Sequence, residues 1–62
     1  MYQVFENLMQ KKGVTAYKVS KETGISQATL SDWRRGRSQP KIDKLLKIAK
    51  YFGVDVNVLI SD

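Results

Sequence analysis

Apolar residues recur along this chain at the three- and four-residue spacing of an amphipathic helix, and glycines divide the pattern into segments. The first segment, about residues 2–12, places Phe5, Leu8 and Met9 on one face. Thr15 is suited to cap a second, shorter helix that ends near Glu22. The pattern therefore predicts that the chain begins with two helices.

Two more helices are expected in the middle of the chain. Ser26 is suited to cap a third helix over about residues 27–35, in which Leu30 and Trp33 lie three residues apart on one face. The fourth, about residues 41–52, carries the clearest apolar stripe: Ile42, Leu45, Leu46, Ala49 and Phe52. Pro40 fits either the first position of this helix or the residue just outside it.

The last segment, residues 54–60, alternates apolar and polar residues as a strand does, but it has no partner strand. We therefore expect Asp55 to cap a short fifth helix that ends at Ile60. The predicted fold class is all-α, a compact five-helix bundle without a sheet. No repeat or linker interrupts the chain, so residues 1–62 are predicted to form a single domain.

Composition narrows the possible functions. Eleven Lys and Arg against six Asp and Glu give a formal net charge of +5, which suits a polyanionic partner. The chain has no Cys and no His, which excludes disulfides, Cys/His metal sites and a histidine base. Its carboxylates are scattered and it has no phosphate-binding Gly-rich loop. We expect a cytoplasmic, non-enzymatic protein without cofactor, metal, small-molecule ligand or membrane contact.

The stretch Ala16–Arg35 carries the most information. Two short helices joined by a three- or four-residue turn cross at about 90–120°. Such a crossing requires a small residue where the second helix approaches the first, and Ser20 occupies that position. It also requires a turn residue that tolerates positive φ, which Gly24 supplies. Buried apolar residues must then hold the pair to the rest of the domain: Val19, Ile25, Leu30 and Trp33.

These residues resemble a known family, the phage-repressor and Cro type (XRE-like) of helix-turn-helix domain. The central signature is matched by Val19-Ser20, Gly24-Ile25-Ser26-Gln27, Leu30-Ser31-Asp32-Trp33 and Arg35-Gly36-Arg37. Its fourth and fifth helices are matched by Leu46-Lys47-Ile48-Ala49, Phe52-Gly53-Val54 and Val58-Leu59-Ile60. The resemblance implies a lambda-repressor-like bundle whose third helix docks in the major groove of double-stranded DNA. It also implies a homodimer on a near-palindromic site.

The resemblance also assigns contact residues. Base edges would be contacted by four residues: Gln27, Ala28, Thr29 and Asp32. Gln can pair with adenine, Ala can touch a thymine methyl, and Asp can accept a hydrogen bond from cytosine. The DNA backbone would be contacted by six more, which fix register rather than sequence: Thr15, Ala16, Ser31, Arg35, Arg37 and Lys41.

Two positions depart from the family pattern. Many members have Gln where this chain has Ala16 and use it to hold a phosphate. Here the Thr15 hydroxyl or the amides at the start of the second helix would substitute. Many members also pair an Arg late in the first helix with a Glu near the end of the third. The matching positions are Met9 and Arg34, so we expect Arg34 to be free for solvent or phosphate.

The leading hypothesis is a transcriptional repressor of bacterial or phage origin. The alternative is an antitoxin or protein-interaction module whose DNA binding is secondary. It rests on the apolar surplus of the last segment, formed by Val54, Val56, Val58 and Ile60, which so short a helix cannot bury in one monomer. The same surplus would serve a homodimer formed through the C-terminal helix region. We expect Trp33 in the core, and for Tyr17 we favour a partly buried packing role over contact with DNA.

Overall fold

The computed structural model describes residues 2–60, and these contain five helices and no strand. The helices are α1 (Tyr2–Lys12), α2 (Ala16–Thr23), α3 (Gln27–Arg34), α4 (Ile42–Phe52) and α5 (Asn57–Ile60). The prediction of an all-α, five-helix fold is confirmed. The predicted domain of residues 1–62 extends over Met1, Ser61 and Asp62, which lie outside the described residues.

Side-chain caps start the helices where the sequence places them. The Thr15 hydroxyl oxygen accepts a hydrogen bond from the Lys18 amide at 3.2 Å, and that of Ser26 accepts one from the Thr29 amide at 3.1 Å. The Asp55 carboxylate accepts a bond from the Asn57 amide at 2.8 Å. Each bond satisfies an amide that has no acceptor within its helix. The predicted starts of α2 and α3 are confirmed, whereas α5 begins at Asn57, two residues after Asp55.

One apolar core joins all five helices. Its buried members are Phe5, Met9, Val19, Ile25, Leu30, Trp33, Leu45, Ile48, Ala49 and Leu59. Phe5 is fully buried, and its ring centroid lies 5.1 Å from that of Trp33 and 5.9 Å from that of Phe52. Since these rings belong to α1, α3 and α4, the aromatic contacts fix α3 against the rest of the bundle.

The apolar face of α4 differs from the predicted stripe. Ile42 and Leu46 are 55% and 51% exposed, whereas Ile48, which the stripe omits, is fully buried. The buried arc is centred between Leu45 and Ile48, and the other helices cover only that side of α4. The predicted burial of Ile42 and Leu46 is therefore wrong, because helical spacing alone does not show how wide an arc the bundle covers.

The start of α4 is also settled. Lys41 is the N-cap residue in an extended conformation, so the helix begins at Ile42 rather than at Lys41. Pro40 is buried and precedes the cap, which places it outside the helix. Within residues 2–60, no helix has the length and apolar character required to cross a membrane.

Candidate nucleic-acid interface

The turn between α2 and α3 is held by its own polar groups. Gly24 has φ +79°, and its amide donates to the Ser20 carbonyl at 2.9 Å, which ends α2. The Ser20 hydroxyl donates to the Ile25 carbonyl across the turn. The Thr23 hydroxyl donates to the Val19 carbonyl at 2.7 Å and accepts from the Ile25 amide at 3.3 Å. These bonds fix the direction in which the chain enters α3.

Apolar contacts then hold α3 against the bundle. Val19 and Ile25 are at most 1% exposed, and on α3 itself Leu30 and Trp33 are 3% and 4% exposed. Trp33 is thus a core residue, as its spacing predicts. Since the inner side of α3 is fully used in packing, the opposite side is left to solvent.

That outer side begins with Gln27 and Ala28, which are both exposed, and continues with three half-buried residues, Thr29, Ser31 and Asp32. Asp32 lies five positions after Gln27, a rise of about 7.5 Å along the helix. This is about two base-pair steps of 3.4 Å. The outer side of α3 therefore presents amide, methyl, hydroxyl and carboxylate groups over the length of about three base pairs.

The hydroxyl of Thr29 is engaged within the first turn of α3. Its oxygen lies 2.9 Å from that of Ser26, which also accepts the Thr29 amide. The pair orients the Thr29 side chain next to the cap. As a result the Thr29 hydroxyl is shared with the cap, and Thr29 offers a smaller polar group than the Gln27 amide does.

The C-terminal end of α3 is fixed by three backbone bonds. The Arg35 amide donates to the Ser31 carbonyl at 3.0 Å, that of Gly36 to Trp33 at 3.1 Å, and that of Arg37 to Asp32 at 2.9 Å. The last two bonds form a Schellman motif, for which Gly36 supplies the left-handed residue with φ +74°. The backbone that carries Arg35 and Arg37 is therefore held in one conformation.

Several cations surround this end of α3. Arg34, Arg35, Arg37 and Lys41 are all exposed. Within residues 2–60 the only ion pair joins Lys18 to Glu22, at 3.8 Å, so none of these four cations has a carboxylate partner there. Their charge is available to an anionic partner at low cost in desolvation.

The other predicted backbone contacts lie at the start of α2. The Thr15 oxygen accepts the Lys18 amide, which leaves the hydroxyl proton free to donate. The amides of Ala16 and Tyr17 precede the first intrahelical acceptor and point outward from the helix end. Positive partial charge is therefore presented at this end of α2, although Ala16 itself supplies no side-chain donor.

Comparisons with known proteins agree with this geometry. A sequence profile described as "Helix-turn-helix" matches residues 5–59 of the chain.

The chain belongs to the helix-turn-helix family.

An uncharacterized HTH-type transcriptional regulator of Sinorhizobium fredii is 38% identical over 57 residues, which cover 92% of this chain and 74% of that protein. No solved structure matches the chain. The family resemblance inferred from the sequence is confirmed, and it points to a DNA-binding protein rather than an enzyme.

All ten predicted contact residues lie in the helix-turn-helix unit, which is α2 with its N-cap Thr15, the turn and α3, or in the loop after it. Six of these, namely Gln27, Ala28, Thr15, Arg35, Arg37 and Lys41, are exposed; Thr29, Ser31, Asp32 and Ala16 are half-buried. Their roles toward DNA remain predictions. The structure brings them together at the start of α2, along the outer side of α3 and at the end of α3.

The second departure from the family pattern has a structural counterpart. Met9 is 8% exposed and part of the core, while Arg34 is exposed. Arg34 lies near Tyr2 at the start of α1. Burial and the Glu6 carboxylate raise the pKa of Tyr2, and the positive charge of Arg34 partly opposes that rise. In this helix-turn-helix protein the cation at the junction of α1 and α3 is therefore Arg34 on α3, and the α1 position is the apolar Met9.

Tyr17 is the residue that the sequence interpretation misplaced. It is 55% exposed rather than partly buried, and the Lys21 ammonium lies 5.6 Å from the centre of its ring. The helical period contained the signal: Tyr17 is two residues before the fully buried Val19, about 200° around the helix. An aromatic residue nearly opposite the core residue of a short helix is exposed unless another element covers it.

Proposed function

We propose that this protein is a sequence-specific repressor, of bacterial or phage origin, that binds double-stranded DNA with α3 in the major groove. The observation that best supports this proposal is that α3 has one buried apolar side and one outer polar side. Leu30 and Trp33 are buried, whereas the opposite side presents the exposed Gln27 and Ala28 and the half-buried side chains of Thr29, Ser31 and Asp32. A helix held in this way fits a major groove about 12 Å wide.

In this proposal Gln27 and Ala28 lie first in the groove, Gln27 pairing with adenine and Ala28 touching a thymine methyl. Thr29 lies at the groove wall. Asp32, about 7.5 Å further along α3, accepts a hydrogen bond from a cytosine amino group. No ion pair within residues 2–60 occupies the Asp32 carboxylate, so it is available to that donor.

The backbone contacts flank this surface. Thr15 and the amides at Ala16 donate to phosphate at the start of α2, and Ser31 contacts the backbone at the edge of α3. Arg35, Arg37 and Lys41 neutralise phosphates beyond the end of α3. These groups set the position of the protein on the duplex and supply most of the salt-dependent affinity.

Selection of bound duplexes from a random pool, followed by titration of the selected site at several salt concentrations, tests the proposal. A protein that contacts Z phosphates should show a slope of log affinity against log salt near −0.9Z. Gln27→Ala should cost roughly 1–3 kcal/mol at one base position, and Arg35→Ala should weaken all sequences alike. Failure to enrich any sequence, or a flat salt response, would overturn the proposal.

We further propose a homodimer formed through the C-terminal helix region. Val58 and Ile60 of α5 are 42% and 38% exposed, and Val54 and Val56 are half-buried beside them. A second copy would remove these apolar side chains from water. The selected sites should then contain two half-sites about one helical turn, roughly 34 Å, apart.

The exposed apolar residues also favour a second candidate, an antitoxin or protein-interaction module. Ile42 and Leu46 on α4 add to those of α5 and are the more exposed pair. A partner protein would cover both helices, with DNA binding secondary. This candidate predicts duplex binding that is weak and without sequence preference at low salt, which the selection experiment distinguishes from the repressor.

A further inference from the structure

We infer that Tyr17 and Lys21 of α2 bind a phosphate of the DNA backbone beside the start of α2. The inference rests on the proposed function, since it requires α3 to lie in the major groove. It assigns a contact to two residues outside the predicted set. It also supplies the phosphate donor that Ala16 lacks.

The direction in which these residues face follows from the hydrogen bonds of the turn. The Ser20 hydroxyl donates to the Ile25 carbonyl, so the Ser20 side of α2 faces the turn that leads into α3. Tyr17 and Lys21 lie about 60° and 100° from Ser20 around the helix axis, on the side away from the core residue Val19. They therefore occupy the exposed flank of α2 that is nearest to α3.

The opposite flank of α2 faces a different neighbour. Glu22 lies about 160° from Ser20 and lines a shallow groove together with Lys47 and Lys50 of α4. Lys18 is on the same flank and pairs with Glu22 at 3.8 Å. The two lysines of α2 thus have different partners: Lys18 pairs with the Glu22 carboxylate, and Lys21 contacts the Tyr17 ring.

The contact that Lys21 makes keeps its charge available. Its ammonium lies over the Tyr17 ring, 5.6 Å from the centre, and has no carboxylate partner within residues 2–60. A cation over an aromatic face retains its N–H donors and loses side-chain freedom before any ligand binds. Tyr17 is 55% exposed and adds a phenolic donor to the same surface.

The chemistry of this pair selects an anion with several acceptor oxygens. An ammonium and a phenol hydroxyl both donate, and the outward amides at the start of α2 donate in the same region. With α3 in the groove, the start of α2 lies beside the groove wall, where the accessible anion is a DNA phosphodiester. The pair then holds α2 on the DNA backbone, in place of the Gln that many family members have at the position of Ala16.

A matched pair of lysine variants tests the inference. Lys21→Gln and Lys18→Gln remove the same charge from the same helix; Lys18→Gln also breaks the exposed pair with Glu22, whereas Lys21→Gln breaks only the contact with the Tyr17 ring. On the selected duplex we expect Lys21→Gln to weaken binding about three- to tenfold more than Lys18→Gln. The salt slope should become shallower by about 0.9 for Lys21→Gln, the value for one lost phosphate contact. Circular dichroism should show both variants folded, since both side chains are exposed.

Tyr17→Phe isolates the hydroxyl, because it keeps the ring beneath Lys21. It should weaken binding about two- to threefold for every sequence alike, with base preference unchanged. If the two lysine variants have equal affinities and equal salt slopes, the inference is overturned. Salt-dependent binding by the wild-type protein would still support the proposed function in that case. Absence of salt-dependent binding by the wild-type protein would overturn both.

Discussion

Replacing Gly24 by Ala tests the turn on which the placement of α3 depends. Gly24 has φ +79°, and an added Cβ would meet no atom within 4 Å. The cost is therefore that of the backbone conformation alone, about 1–2 kcal/mol for an L-residue in the left-handed region. For 62 residues the entropy of unfolding is about 0.13 kcal/mol/K, so the midpoint of thermal unfolding should fall by about 8–15 °C.

Circular dichroism during heating and in urea measures this loss. Gly53→Ala is the matched control: Gly53 ends α4 with φ +69°, and its added Cβ also meets nothing within 4 Å. Both variants should lose about the same stability with an unchanged urea m-value. A loss at Gly24 below about 0.3 kcal/mol would refute the left-handed turn, and one above about 3 kcal/mol would refute the open space around it.

Three other variants test separate features. Val58→Asp should convert the proposed homodimer to a monomer in sedimentation equilibrium, because it places a charge in an apolar contact; an unchanged dimer would move the interface away from α5. Ser20→Ala should destabilise the fold by about 1–3 kcal/mol in urea unfolding, since it leaves the Ile25 carbonyl without its donor; no loss would show that water replaces the hydroxyl. Burial raises the pKa of Tyr2, which means that folding favours the protonated phenol. The stability that this phenol contributes is present below the unfolded-state pKa near 10 and is lost as pH rises through the higher folded-state pKa. The free energy of unfolding of Tyr2→Phe should therefore fall less steeply at alkaline pH than that of the wild-type protein. Identical pH profiles would exclude Tyr2 as the source of the alkaline loss of stability.

Local features of this protein were predictable because their causes are local. A cap needs only a hydroxyl and an amide three residues on, which is why Thr15 and Ser26 mark the starts of α2 and α3. The left-handed turn needs only a residue without a Cβ, and Gly24 meets that need. These signals, together with the spacing of Leu30 and Trp33, predict where α3 lies in the chain and which of its sides packs against the core.

Exposure was less predictable, because it depends on what covers each helix. Ile42 and Leu46 carry the apolar spacing of a core stripe, yet both are about half exposed since no described helix covers that flank of α4. Tyr17 is exposed for the same reason, at the flank of α2 next to α3. Which side of α2 faces α3 also required the contact between Ser20 and Ile25.

The amino-acid sequence by itself determined the number of helices, their caps and the residues of the outer side of α3, since short-range spacing and hydrogen bonding decide these. Tertiary structure alone decided which apolar residues are left uncovered and that Lys18 and Lys21, on one short helix, have different neighbours. The physical reason is that burial and charge pairing are properties of the space between helices. That space is formed by packing residues such as Phe5 and Trp33 that are distant in the chain.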